Sequence, residues 1–371
     1  MKKLDWYIIK KFMVSFVFCM IAITTIAVAV DTSEKTDDFV KTGLSNWDIF
    51  TKYYLGFIPW IMSLLFPLFA FIAVIFFTSK MAMRSEVIAI LASGTTFNRF
   101  LRPYIIGGIL LAVILFFGRR YVVPQANVVQ TEFKKNYLDK NDNYKAVTEA
   151  RDGVCADCFY KRIDSSTYMG VKSFNASTQT GGMFFMDRVN KRGKLVYNLR
   201  AQSIRWDTTG GKKRWVALQV VERNIDSLGE KVTHSPEKQL RLNIVPEELV
   251  RDEYLKDKLT TPELIRFIKR EELRGTEGLN ALKVERFKRS ATPFTVILLT
   301  FIGAVIACRR TRGGSGLHLA LGIIIAAIFV IADQFSTVFA VKGNFHPVLA
   351  AWIPNLVFSL VALRLYQTTP K

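Results

Sequence analysis

Histidine and cysteine are scarce, at three and four in 371 residues, and acidic residues trail basic ones by 31 to 51. Each shortage narrows the chemistry. A zinc site takes four ligands, commonly of these two residue types. Cys155 and Cys158 form a lone C-x-x-C with only His234 in the same segment, and no strand–helix context supports a redox pair. A local disulfide or two free thiols is the reading. Cys19 and Cys308 sit in apolar runs and read as small apolar residues. No G-x-x-x-x-G-K-[ST] and no H-E-x-x-H occurs, and Gly313-Gly314-Ser315-Gly316 fails G-x-S-x-G at its last position. Catalytic, cofactor-binding and metal-ligating residues are therefore assigned nowhere. The same holds for a nucleic-acid partner.

What the sequence has is long apolar runs, and a membrane span takes about 20 such residues. Phe12–Val30, Tyr53–Thr78 and Ala291–Cys308 carry no charge, and Phe100–Gly118 carries only Arg102. Leu317–Ala340 holds His318 and Asp333. Val348–Leu363 is short, and reaches full length with Arg364 and Tyr366 at the interface. The first run follows Lys2, Lys3, Lys10 and Lys11 but is too long for a signal peptide, and no small-x-small cleavage site follows it. It reads as a retained span.

Charge sets the orientation, because cytosolic loops collect lysine and arginine. The first lysines fall on one side of a six-span path. So do Lys80, Arg84, Arg99 and Arg102, then Arg309, Arg310 and Arg312, then Arg364 and Lys371. The loop Asp31–Lys52 on the other side is rich in acid. Both termini are expected in the cytosol, with 119–290 exported. The expected division is residues 1–118 with three spans, an exported domain over 119–290, and 291–371 with three more spans. The fold class is thus an α-helical membrane protein of six spans with an inserted antiparallel β domain of sandwich or jelly-roll type.

Within the insert, Thr167–Phe174, Met183–Val189, Leu195–Ile204 and Trp215–Glu222 read as strands separated by turn residues. A helix follows, capped by Thr260 or Thr261, with Pro262 and Glu263 in its first turn. A basic helix over Ala281–Arg289 leads into the fourth span. Asp333 is the one carboxylate in the runs and lies near the outer end of its own, which suits an interfacial residue better than a proton relay. Nothing in the chain captures energy, so any transport draws on a partner.

The inner loop Arg84–Gly94 favours a helix ended by Gly94, with Val87, Ile90, Leu91 and Gly94 on one face. The residues alone leave two readings open: docking in a groove of a cytosolic partner, or lying on the inner leaflet.

The order of several short segments then becomes informative. It runs Leu4-Asp5-Trp6-Tyr7-Ile8, Pro59 with Phe66-Pro67, and Arg84-Ser85-Glu86 to Ala92-Ser93-Gly94. It continues with Ala201, Ile204-Arg205-Trp206-Asp207, Trp215 and Pro262-Glu263-Leu264, and closes with Pro293, Ile302-Gly303, Gly313-Gly314 and Ala350-Ala351-Trp352-Ile353-Pro354-Asn355. Over nearly its whole length the sequence resembles the LptF/LptG (YjgP/YjgQ) permeases, membrane subunits of the lipopolysaccharide export ABC transporter. The opening and the Arg84-Ser85-Glu86 form lean toward LptG. The resemblance implies an exported β-jelly-roll, a second LptF/LptG-type permease, an LptB-like ATPase dimer that holds the ATP and magnesium, and an LptC-like periplasmic bridge. No cofactor is then held by this chain. It implies that the loop helix 83–94 couples to the ATPase through Glu86, Val87, Ala89, Ile90, Ala92 and Gly94.

Two departures touch the lipid. Where some relatives carry a lysine about one turn before the aspartate ending span one, this chain has Ala27-Val28-Ala29-Val30; a cation found in some after the first proline of span two is Trp60 here. Lys35 and Lys41 are left to meet the phosphates, with Phe66 and Phe69 lining the apolar part. Competing readings are a permease of another lipid or lipoprotein exporter, and a membrane-bound lipid-modifying enzyme.

Overall fold

The computed structural model describes residues 3–368 apart from 139–158, 176–177, 191, 209–213, 227–228, 241, 243, 247–248, 250–253, 275–277, 309–313 and 344. The C-x-x-C cysteines and the arginines at 309–312 lie outside the described residues. Among the described residues six helices are long and apolar enough to cross a membrane. In chain order the helices are α1 (Lys3–Glu34), a short α2 (Thr36–Thr42), α3 (Asn46–Met83), the loop helix α4 (Glu86–Ala92) and α5 (Phe97–Leu138). After the strands come α6 (Leu255–Lys258), α7 (Thr261–Leu273), α8 (Asn280–Ala307), α9 (Gly314–Lys342) and α10 (Pro347–Gln367).

Lipid offers no hydrogen bonds, so a spanning segment must satisfy its backbone internally, and a helix does so. The helices outrun the apolar segments. α5 continues past Arg119 and Arg120 to Leu138 through π turns at Gly118–Val122 and Lys134–Leu138. In compactness the chain forms two units: Met1–Leu138 with Lys256–Ile265 and Asn280–Lys371, and Asp139–Leu255 with Arg266–Leu279.

The helical unit packs around α3 and α8. Ile8, Phe12 and Phe16 of α1 recur at helical spacing and are buried with Phe66, Phe69 and Val74 of α3, Tyr104 and Leu111 of α5, and Val296 and Ala304 of α8. A second cluster joins Phe71 and Ile75 of α3 with Leu299 and Ile302 of α8, Ala326 of α9 and Phe358 of α10. Gly107 lets α5 approach α1, since a Cβ there would lie 2.7 Å from the Phe12 ring. The ends of α1 and α10 share one side. Tyr366 bonds Asn98 and stacks on Phe97 at 6.1 Å, while Asp5 pairs with Arg99.

The β unit is one six-stranded antiparallel sheet in sequential order: β1 (Phe159–Arg162), β2 (Thr167–Asn175), β3 (Thr180–Val189), β4 (Leu195–Asp207), β5 (Arg214–Asp226) and β6 (Gly229–Leu240). The antiparallel β reading holds, as a meander; no Greek-key crossing occurs among the described residues. The sheet is creased. Met183 and Gln219 have φ of 48° and 50° and fall opposite Gln202, which lies between Gly182↔Ser203 and Phe184↔Ala201. Inward-facing positions change phase there, from Ala201 to Ile204 in β4 and from Ala217 to Val220 in β5, at the level of left-handed Met183 and Gln219. Both halves thus turn their apolar side to one core, where the Trp215 indole N–H donates to the Ile244 carbonyl at 2.7 Å. The capped helix forms as expected: Thr260 precedes α7 and its N–H donates to Glu263 Oε2 at 2.9 Å.

Gly107→Leu is expected to force Phe12 out of place and destabilise the helical unit by about 1–3 kcal/mol. A lowered thermal midpoint of the detergent-solubilised protein checks this; an unchanged midpoint would count against the close approach.

Candidate functional site

The expected coupling residues and the expected cations fall at opposite ends of α1, with Phe66 and Phe69 between them. At the first end, Ser85 takes a left-handed φ of 60° and turns the chain sharply from α3 into α4. α4 ends before Gly94, whose φ is 83°. Glu86 is half-buried, accepts from the Tyr7 hydroxyl at 3.3 Å and has Arg84 4.0 Å away. Val87 is fully buried in the helical core, and Ile90 and Leu91 pack against it. These three anchor α4. The free face is Ile88, Ala89 and Ala92, followed by exposed Ser93 and Gly94. Of the six expected coupling residues, Ala89, Ala92 and Gly94 are thus open to a partner, Glu86 in part, and Val87 and Ile90 face inward.

The loop is fastened on both sides. Arg99, in the first turn of α5, donates to Asp5 Oδ2 at 2.8 Å, and the Asp5 side chain is only 8 % exposed. Tyr7, Asp5 and Arg99 escaped the reading of the loop as an isolated segment. The partners stand 79 and 94 residues apart in the chain, and no local pattern pairs them.

At the second end, Lys35 pairs with Asp31 and bonds the Tyr53 hydroxyl, and its ammonium sits 5.0 Å above the Tyr53 ring. Thr32 and Tyr54 share a hydrogen bond of 2.6 Å. Phe39, Tyr53, Tyr54, Phe57 and Phe133 form an aromatic cluster beneath. Lys41 is exposed and 3.7 Å from Asp38. Phe66 and Phe69 are buried in the core, with the Phe66 ring 4.9 Å from Phe16. The two lysines and the two phenylalanines are therefore not brought into one open cavity. Lys35 is shared with a carboxylate, and Lys41 is the cation left at the surface.

Two of the scattered polar residues of the spans, Asp333 and Asn355, are paired. Asp333 takes Lys288 at 2.5 Å, which joins α9 to α8 and suits an interfacial pair. Asn355 accepts from Thr295 at 2.8 Å and donates to the Ala291 carbonyl at 3.3 Å. No group of three or more potential metal ligands occurs among the described residues.

The family model described as Lipopolysaccharide export system permease LptF/LptG matches residues 6–368. The chain belongs to the LptF/LptG family. No curated protein matches it. It is a multi-pass membrane protein of a lipopolysaccharide export permease family, and the match covers LptF and LptG alike.

At the start of α8 this LptF/LptG chain carries a second polar knot. Arg289 is buried, pairs with Glu285 at 3.0 Å and donates to the carbonyls of Lys256 and Leu259 at 2.7 and 2.8 Å. Arg119 reaches Glu285 at 3.4 Å and the Thr292 hydroxyl at 2.6 Å, and Asn127 donates to the Asp257 carbonyl at 3.0 Å. Residues 256–261 are thereby fastened to α5 and α8. Burial, and then the Glu285 charge, raise the Asp257 carboxyl above its ordinary range. A raised carboxyl binds its proton more tightly when folded, so stability declines as pH climbs from the unfolded value through the folded one and stays reduced above it. Asp257→Asn is expected to raise the thermal midpoint at pH 7 and to leave it unchanged at about pH 3, below the unfolded value near 3.9. An equal effect at both values would show that ionisation is not the cause.

Proposed function

We propose that the chain is an LptG-type permease subunit that extracts lipopolysaccharide from the inner membrane and passes it to a periplasmic bridge, driven by ATP hydrolysis in a partner. The observation that carries the reading is α4: a loop helix anchored by Val87 on one side and open at Ile88, Ala89 and Ala92 on the other. A small-residue face lets a partner groove approach the backbone closely. Energy enters there, since the chain has no phosphate-cradling loop of its own. The partners are an LptB-like ATPase dimer with its ATP and magnesium, a second permease of the family, and an LptC-like bridge that extends the β unit. Glu86 supplies the charge-assisted contact in the ATPase groove.

The start of α1, the loop helix α4 and the end of α10 then face the cytosol, and the β unit lies in the periplasm. Cysteines placed at Gly193 and Gly229 are expected to react with a membrane-impermeant reagent once the outer membrane is permeabilised. Protection of both until the inner membrane is broken would reverse the topology.

Lipopolysaccharide offers phosphates at the outer leaflet and acyl chains below. Lys41 is an exposed cation of the outer rim, Lys35 becomes available on release from Asp31, and Phe66 and Phe69 meet acyl chains when α1 parts from α3. Photo-crosslinkers at these four positions should give lipopolysaccharide adducts at two or more of them.

Purification in mild detergent is expected to bring along an ATP-binding-cassette ATPase. Ala89→Arg and Ala92→Trp should cut its recovery about tenfold or more by steric block, and Glu86→Ala should cost about 2–5 kcal/mol of association. Full recovery with all three variants would remove α4 from the interface.

A further inference from the structure

α1 is fastened by polar contacts at its two ends, and between them it packs on one face through Phe12, Phe16 and Cys19. At the first end, two contacts bracket the α4 loop: Tyr7 holds Glu86 where α4 begins, and Asp5 holds Arg99 just after the loop closes. At the other end, Asp31, Thr32 and Lys35 are gripped by Tyr53 and Tyr54. Between them Val14, Val17, Phe18, Ile21 and Ile26 are exposed to what surrounds the bundle.

α1 also differs from the other five spans in composition. Its 32 residues include no proline and no glycine. The others carry Pro59 and Pro67, Pro103, Pro293, Gly322 and Pro354. Prolines and glycines are where helices kink. An unbroken helix of this length is about 48 Å of nearly straight rod at 1.5 Å per residue.

We propose that α1 transmits motion from the coupling loop to the opposite face, with Tyr7 tying it to the start of α4 at Glu86 and Asp5 tying it to Arg99 at the start of α5, where the same loop ends. The proposal rests on the reading of α4 as the ATPase-docking helix, and it adds the path by which movement leaves that helix. Asp5–Arg99 suits the task because its carboxylate is shielded from water, so parting the pair leaves a poorly solvated charge. A push on α4 then moves the first turns of α1 rather than stretching the clasp. The straight helix carries the displacement to the Asp31–Lys35–Tyr53 cluster, where α1 meets α3.

The test has one arm on the chain alone and one on the assembled transporter. In the chain alone, Asp5→Arg and Arg99→Asp should each speed amide hydrogen exchange over Glu86–Ala92 about tenfold, the price of one broken shielded pair. The double exchange should restore it, and Tyr7→Phe should give a smaller rise. Unchanged exchange in both single variants overturns the clasp. So does a double variant as fast as the singles.

In the assembled complex, the single variants should keep the ATPase bound and hydrolysing within about twofold, while lipopolysaccharide release falls about tenfold. Thr25→Pro, at an exposed position in the second half of α1, should do the same with exchange at α4 unaltered. Undiminished release by Thr25→Pro overturns the rod. Parallel loss of hydrolysis and release in the Asp5 and Arg99 variants overturns their role as transmitters. A wild-type complex with no bound ATPase would instead sink the coupling role of α4, and the exchange arm would still decide the clasp.

Discussion

Every polar group carried into lipid must find its partner within the protein, and the architecture follows from that requirement. Backbone groups are satisfied by the helix itself, so the spans are helical. Charged side chains pair, and the pairs gather near the helix ends: Asp5 with Arg99, Lys35 with Asp31, Glu285 with Arg119 and Arg289, Lys288 with Asp333. Packing does the rest. Phe12 against Gly107, and Phe71 and Val74 beside Gly303, bring the helices close. These polar pairs do more than offset their own burial. They choose which helix ends stay together, and so which parts of the bundle can move as one.

This gives the loop helix its character. α4 has only seven residues, too few to be stable alone. It holds its shape because Val87 is sunk in the core and because Tyr7 grips its first residue. Its outward face of Ile88, Ala89 and Ala92 is therefore preformed, and a partner that docks there meets little ordering cost. The creased sheet follows a related logic. Left-handed Met183 and Gln219 let one meander wrap both of its halves around a single apolar core.

Much of the fold was legible because the signals are local. Long apolar runs mark the six spans, alternating strands with turn residues mark β2 to β5, and Thr260 with Glu263 marks the start of α7. Where signals were not local, the reading fell short. β6 was missed because Gly229–Leu240 is polar on both faces and holds Pro236, so it shows no alternation. β1 is only four residues long. The helix of the third span runs twenty residues past its apolar stretch, since hydropathy reports the membrane and not the helix. In the loop, helical spacing grouped Val87 and Ile90 with Gly94 but could not say that the first two face the core.

The sequence by itself determined the number of spans, the helical and β character of each part, the family and the lack of a P-loop motif. These depend on residue type and short-range spacing, which folding does not alter. Only the tertiary structure decided which face of α4 is free, that Lys35 is already paired while Lys41 is exposed, and that Asp5 and Tyr7 close on a loop some eighty residues away. Those facts depend on which charges meet across helices. A pairing of that kind is set by packing geometry and leaves no periodic trace along the chain.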